Sequence, residues 1–496
     1  MGGGLDPGRR RRGADRRLGA THLWWLLRFR RGFPVDIDEA GYLWFAFTLH
    51  DRLRGDGPLG LVREFQNEGW VAPLLPALTA VLEVPAEAGD AVAAMAVQLV
   101  FFAVLVLASY GIGERLLDRR AGLVTALVVA TMPGVTDFVR TYHLVIPSTA
   151  MYALATYALL ASNRLRHMRW SIVFGVAVGL MLLSRSMMLA FLPALPLAAA
   201  WIVLVDGRDG TQVRNFKLAA LAGFATTLAW YATSGPKIVH YLVNFGYGGP
   251  SANTGSSFSP LSPGLWTHEL RRAVNTFLYL PLAAVLILAL AVAAAAALAR
   301  RRDWPSRVEL GRVLGRAARS EALVPAIVVV EGYLALTSSR NDGTGFVVPL
   351  LPPAIALVVV AALKVPWRAA RTALIAAFVL VAAFNVVMKA DVIIEASEPR
   401  EVAVPVFGTA TLSNGRGWIH EHLRFGGIYV GAADALAARP RAPLGLDPRA
   451  GRPRARRRRT RHGRARGAAR ERQRAEARRV PGALGCGVRA RRNRRR

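Results

Sequence analysis

Cysteine is almost absent from this chain of 496 residues: the only one is Cys486. That excludes a disulfide within the chain and any cysteine-based metal site. No His, Glu and Asp spacing matches a metal-binding pattern, and no phosphate-loop or dinucleotide glycine motif occurs. Residues 1–31 are rich in Arg and lack a clean apolar core, so no cleavable signal peptide is evident. Acidic residues are scarce, 32 against 64 Lys and Arg, which leaves a net charge of +32. The excess is uneven. From Arg439 to Arg496 there are 23 Arg and only three acids, Asp447, Glu471 and Glu476, so about +20 lies in that tail.

What the chain has is apolar length. It is 53% hydrophobic with a mean hydropathy of +0.30, too apolar for an ordinary soluble enzyme. Ten apolar runs approach the length needed to cross a bilayer. They cover 91–111, 121–136, 144–161, 170–183, 187–205, 216–233, 274–298, 322–336, 346–363 and 372–388. The stretch 71–84 is short and punctuated by proline, and reads as interfacial or re-entrant. Residues 18–27 read as the remnant of a first helix cut off by Arg28, Arg30 and Arg31. Lys and Arg concentrate in every second connection, at 114–120, 163–169, 206–217, 300–319 and 364–371. The positive-inside rule makes these cytoplasmic and sends the alternate connections outside.

The polar features then fall on one predicted side. The acidic tetrapeptide Asp36-Ile37-Asp38-Glu39 precedes Tyr42 and opens an amphipathic helix. A helix N-terminus accounts for two acids in a first turn, and so does a general base or a carboxylate that orients an acceptor hydroxyl. Arg185 lies between two apolar runs, where a guanidinium either snorkels to the interface or grips an anion such as phosphate. Arg140 and His143 mark a helix end beside Pro133 and Pro147, and Arg340 lies in a late polar loop. The predicted loop 234–272 carries Phe245 and Tyr247 among glycines and small hydroxyl residues, suited to sugar stacking or to plain flexibility. Gly175 and Gly179 form a small-xxx-small pair that predicts close helix packing.

The segment Pro34-Val35-Asp36-Ile37-Asp38-Glu39-Ala40-Gly41-Tyr42 resembles the first-loop motif of the polytopic GT-C glycosyltransferases. The branch it is most similar to is family 39, of the protein O-mannosyltransferase and lipid A aminoarabinose transferase type. Ala72-Pro73-Leu74-Leu75-Pro76 is similar to the proline-rich segment that follows in that group. The stretch from Gly175 through Gly179-Leu180 to Leu183-Ser184-Arg185 resembles its GLxxLTK stretch, with Arg in place of Lys. The resemblance runs from about residue 32 to 352. It implies an all-α polytopic membrane protein, a GT-C bundle of about 10–12 transmembrane helices with amphipathic helices in the first external loop.

The resemblance further implies inverting transfer of a sugar from a polyprenyl-phosphate donor to an acceptor, at the extracytoplasmic face of the plasma membrane. It makes Asp38 the base or acceptor-orienting carboxylate, with Glu39 beside it. It puts Arg185 on the donor phosphate. Arg140, His143, Tyr42, Tyr247 and Arg340 complete the expected substrate-binding set. No cofactor and no metal site are expected, although a divalent ion stays open. The expected partners are the lipid-linked donor, membrane lipids and an acceptor that is protein, lipid or glycan; nucleic acid is not among them. The sequence departs from the family where Tyr142-His143 replaces an acid that many relatives carry. A multi-pass transporter or flippase of a lipid-linked or small solute is the alternative, and a non-catalytic scaffold a third.

The expected organisation is an Arg-rich segment 1–31, a transmembrane domain 32–390, a short external segment 391–438 and a tail 439–496. The tail's Arg, Ala, Gly and Pro fit an out-of-frame reading of a GC-rich gene, and both ends read as disordered.

Overall fold

In the computed structural model the described residues are 19–28, 30, 37–67, 71–83, 91–248, 257–300, 315–341, 343–390, 399–405 and 407–415. The chain divides after Asp434 into two compact units. The second unit, the tail, the rest of the 391–438 segment and the Gly/Ser stretch 249–256 lie outside the described residues, as do Asp36 and residues 1–18.

The first unit is helical, and each of the ten apolar runs forms helix. Helix α1 spans residues 19–28, so the remnant expected before the acidic motif is a formed helix. It is docked, with Trp25 and Leu26 buried. Three helices follow: α2 (Ile37–Asp56), α3 (Pro58–Asn67) and α4 (Leu74–Leu82). Helices α5 (Ala91–Ala96) and α6 (Gln98–Leu116) make one apolar rod. Helices α7 (Arg119–Thr131) and α8 (Pro133–Val139) meet at a 60° bend. Pro133 causes it, because it cannot donate to the preceding turn.

The core is built from α6, α7, α9 (Val145–Ala161) and α10 (Met168–Ser184). After Arg185 a 3₁₀ turn, Ser186–Leu189, leads to α11 (Ala194–Val205) and then α12 (Gly210–Tyr247). Helices α10 and α12 run in contact because glycines let the backbones meet. A Cβ at Gly175 would strike the Ala219 carbonyl, and one at Gly223 would sit 2.9 Å from the Gly175 oxygen. The small-residue spacing is thus a helix seam.

Helix α12 corrects one expectation. The stretch from Ser234 onward reads as loop because Gly235 and Pro236 interrupt it. Instead the helix continues through Pro236 to Tyr247, 38 residues in all. At 1.5 Å per residue that is about 57 Å, longer than the roughly 30 Å hydrocarbon core. Its last turns therefore extend beyond the apolar slab.

Further helices are α13 (Pro263–Arg272), α14 (Tyr279–Ala299), α15 (Leu323–Thr337), α16 (Leu351–Leu363) and α17 (Arg368–Ala390). A π-helical segment, Ala273–Leu278, joins α13 to α14. Strands β1 (Arg400–Val404) and β2 (Gly408–Ser413) pair as an antiparallel hairpin, an addition to the expected all-α architecture. The Asn275 side chain bonds the β2 backbone at Thr409 and Thr411, so the hairpin docks on the π-helical turn.

Four continuous helices among the described residues are long and apolar enough to cross a membrane, five if the bent α7–α8 pair is one span. Others, such as α9, α10 and α15, are apolar but only 15–17 residues long. The chain is a multi-pass membrane protein by this apolar helical framework.

Candidate active site

Three expected residues, Asp38, Tyr42 and Arg185, meet in one cavity. Asp38 and Arg185 both line a cleft of about 310 Å³, together with Tyr42, Ser186, Tyr241, Phe245, Asn341 and Thr344. The local geometry explains each approach. Asp38 sits in the first turn of α2, exposed, where the helix dipole favours its charge. Tyr42 is four residues on, hence on the same helix face. Arg185 follows the last turn of α10 in extended conformation (φ −163°, ψ 130°), which swings its side chain off the helix.

The guanidinium of Arg185 is buried but incompletely satisfied. Its Nη2 donates to the Thr344 carbonyl at 2.8 Å, and the group stacks 4.1 Å over the Phe346 ring. Its Nη1 is buried without a hydrogen-bond partner. A buried, unmet donor costs about 1–3 kcal/mol, more for a charged group, so an anion in the cleft would relieve it. Burial lowers the Arg185 pKa to about 10, with Tyr42, Tyr241 and Asp38 pulling the other way. It stays charged at neutral pH. Arg272 donates from Nη2 to the Gly343 carbonyl at 2.7 Å, so two arginines hold consecutive carbonyls of one cavity wall.

Glu39 faces the opposite way from its neighbour. Consecutive helical residues are turned by about 100°, and here the turn is from cleft to core. Glu39 is fully buried, paired through both oxygens with Arg30 at 2.6 Å. It also accepts from the Tyr142 amide at 2.6 Å. It lies off the cavity and pins α2 to the segment after α8.

Arg140 and His143 also lie off it. Arg140 is buried, donates from Nη1 to the Lys389 carbonyl at 2.7 Å and lies 4.5 Å over the Trp25 ring. Nearby, Lys389 binds both Asp137 oxygens at 2.8 and 2.9 Å and the Tyr279 hydroxyl at 3.2 Å. The His143 ring packs 5.5 Å from Tyr42 and 5.7 Å from Phe138, while Gln98 donates to its carbonyl. It therefore supports Tyr42 from behind. Tyr247 lines an adjoining apolar pocket of about 220 Å³, its hydroxyl 3.0 Å from Ser338. Arg340 is half-buried and does not line the cavity.

Tyr241 escapes the sequence reading; Phe245 is read beside Tyr247 as part of a loop suited to sugar stacking, whereas the structure puts Tyr241 and Phe245 both on α12. On a continuous helix their spacing of four places both on one face. Among the described residues no three His, Cys, Asp or Glu side chains cluster as metal ligands.

Comparison with known proteins now has a geometry to meet. Residues 72–231 match the sequence family of the dolichyl-phosphate-mannose-protein mannosyltransferases. That segment includes Arg185, Arg140 and His143; Asp38 precedes it. No curated protein matches the chain. The structure is similar to ArnT from Cupriavidus metallidurans bound to undecaprenyl phosphate, at a TM-score of 0.50 and 15% identity, over 78% of this chain and 65% of ArnT. The apo form of ArnT gives the same TM-score and coverage at 14% identity. The archaeal oligosaccharyltransferase AglB from Archaeoglobus fulgidus is more distant, with a TM-score of 0.41 and 13% identity over 72% of this chain and 51% of AglB. The chain thus spans about two thirds of the length of ArnT. It has the GT-C fold of the polytopic glycosyltransferases, and from residue 72 to 231 it carries the sequence pattern of the protein mannosyltransferase family.

Proposed function

We propose that the protein is a membrane glycosyltransferase that moves a sugar from a polyprenyl-phosphate donor to an acceptor hydroxyl. The carrying observation is one cleft lined by an exposed carboxylate, Asp38, and a buried guanidinium with an unmet donor, Arg185. ArnT, whose fold this chain shares, is known with undecaprenyl phosphate bound.

The chemistry assigns the two groups complementary work. Asp38 takes the proton of the acceptor hydroxyl as its oxygen forms a bond to the anomeric carbon. The bond from that carbon to the phosphate oxygen breaks on the opposite side, inverting the configuration. The phosphate leaves with the electron pair, and Arg185 stabilises its growing charge. Glu39 keeps Asp38 in place through Arg30 and Tyr142. Tyr42 and Tyr241 flank the reacting centre.

The extracytoplasmic face is the side we assign to the cleft. The basic connections 163–169, 206–217, 300–319 and 364–371 meet one another at the helix ends away from it, through Arg164 with Asp206 among other bonds. Connection 114–120 meets the neighbouring end of α9. Arg115 donates to the Ala161 carbonyl, Arg164 to that of Arg319, and Arg300 to that of Lys364. Such a basic end belongs in the cytoplasm.

A transporter is the second reading, favoured by Glu331. This half-buried carboxylate interrupts an otherwise apolar helix and has one buried oxygen without a partner. The test is sugar transfer from a polyprenyl-phosphate sugar in membranes, wild type against Asp38→Asn and Glu331→Gln at equal expression. We expect Asp38→Asn to lose at least about a hundredfold in rate and Glu331→Gln to keep most of it. Equal transfer by wild type and Asp38→Asn removes Asp38 from the mechanism.

A further inference from the structure

The end of α12 gives the cleft an aromatic wall. The Tyr241 and Phe245 rings lie 4.6 Å apart at 33°, stacked one helical turn apart, and both line the cavity. Phe245 remains 39% exposed, an apolar face kept open beside two charged groups. Tyr241 lies within electrostatic reach of both Arg185 and Asp38. Tyr42 and Phe346 add aromatic surface elsewhere in the same cleft. Only Asp38 and Arg185 among the lining residues carry charge.

A ligand that suits this lining has one anionic group for Arg185, a hydroxyl-rich edge, and a flat apolar face. A pyranose phosphate has all three, because the axial C–H bonds of the ring make one face apolar. The volume of about 310 Å³ is at the small end of ligand pockets, which run from about 300 to 1,000 Å³. It has room for one ring and its phosphate.

We propose that Tyr241 and Phe245 are the platform that binds the donor's sugar. The inference rests on the glycosyltransferase reading and adds which residues distinguish a loaded lipid carrier from an empty one. The wall contributes affinity only when a ring is present, whereas Arg185 contributes to both forms.

Binding of two probes to the purified full chain in nanodiscs separates these contributions. One is undecaprenyl phosphate, the other the same lipid carrying one neutral hexose on its phosphate. We expect wild type to prefer the hexosyl form by roughly threefold to tenfold, the scale of one aromatic contact. Phe245→Ala should abolish that preference without changing affinity for the bare lipid, and Phe245→Tyr should restore it. Tyr241→Phe, which keeps the ring, should keep most of the preference. A Phe245→Ala protein that weakens both probes equally, or retains the preference, overturns the platform. Equal binding of both probes to wild type also overturns it while leaving the polyprenyl-phosphate reading standing. Failure of wild type to bind either probe sinks the glycosyltransferase reading itself.

Discussion

Helices α9 and α10 each have a polar cluster at either end, and the two ends are built on opposite logic. At one end Arg185 leaves the last turn of α10 with a buried donor unmet and a cleft in front of it. At the other, residues Asn163, Arg164 and Leu165 form a left-handed turn, with φ of 50°, 58° and 63°. Left-handed backbone costs about 1–2 kcal/mol per residue without glycine. Here neighbouring groups hold it. Asn215 donates to the Leu165 carbonyl, Gln212 to that of Arg164, and the Ser162 hydroxyl accepts from the Leu165 amide. Arg164 closes the knot by a bidentate pair with Asp206 at 2.7 Å. A buried charge with a vacant bond and a cleft in front of it is a place for a ligand. A strained turn whose carbonyls and charges are taken up is a place that holds loops together. The difference separates residues expected to govern activity from those expected to govern stability.

The largest effect should come from the acid that looks catalytic and is placed to be structural. Glu39→Ala leaves Arg30 buried without its counter-ion, a loss of about 3–5 kcal/mol. We expect poor accumulation of folded protein, measured by thermal melting and yield after detergent extraction. Asp38→Ala, one residue away and exposed, should melt within about 0.5 kcal/mol of wild type. Equal destabilisation by the two would erase the contrast between cleft-facing and core-facing carboxylates. Next, Arg185→Ala should lower transfer by about a hundredfold to a thousandfold, on the scale of one lost oxyanion donor. Arg185→Lys should recover part of it, since a point charge replaces the fork but not its geometry. A transfer rate unchanged in Arg185→Ala would mean the vacant bond serves no anion.

The sequence distinguished these ends unevenly. Membrane class, helical runs and the basic connections were legible because apolar length and Arg placement are long-range signals that survive local detail. Asp38 with Tyr42, and Arg185 at a helix end, were legible from local spacing. Glu39 was not, because the side to which the second of two adjacent acids points depends on where Arg30 and the Tyr142 amide arrive from elsewhere in the chain. Arg140 and Asp137 were similarly hidden: their partner, Lys389, is some 250 residues distant. The helical end of α12, and Tyr241 on it, were missed for a local reason. A Gly-Pro step reads as a break, and tertiary packing carried α12 through it.

A smaller effect tests the seam that aligns α10 with α12 and so sets Arg185 beside the aromatic wall. Gly175→Ala puts a methyl group against the Ala219 carbonyl, and backbone cannot yield as a side chain can. Overpacking of this kind costs about 1–3 kcal/mol. We expect a lower melting temperature and reduced transfer together. Gly210→Ala, at a glycine with nothing within 4 Å of its Cβ position, should do neither. Transfer surviving in a destabilised Gly175→Ala protein would show that the cleft tolerates a shifted seam.

The smallest effect belongs to the knot and has a defined pH sign. The hydrogen bonds from Arg164 hold the Asp206 carboxyl below its ordinary value of 3.8. The unfolded chain therefore takes up a proton more readily than the folded one in this range. The pair's contribution is complete above about pH 4 and is lost as the pH falls through the lower, folded value. Because both side chains keep some solvent contact, the contribution is about 1 kcal/mol or less. Asp206→Asn should lower the melting temperature slightly at pH 7 and flatten its fall below about pH 4. Transfer per folded molecule at pH 7 should be unchanged, since the knot lies a full helix length from the cleft, about 25 Å for the 17 residues of α9. Altered transfer in Asp206→Asn at equal folding would show that the two ends are coupled and not separate.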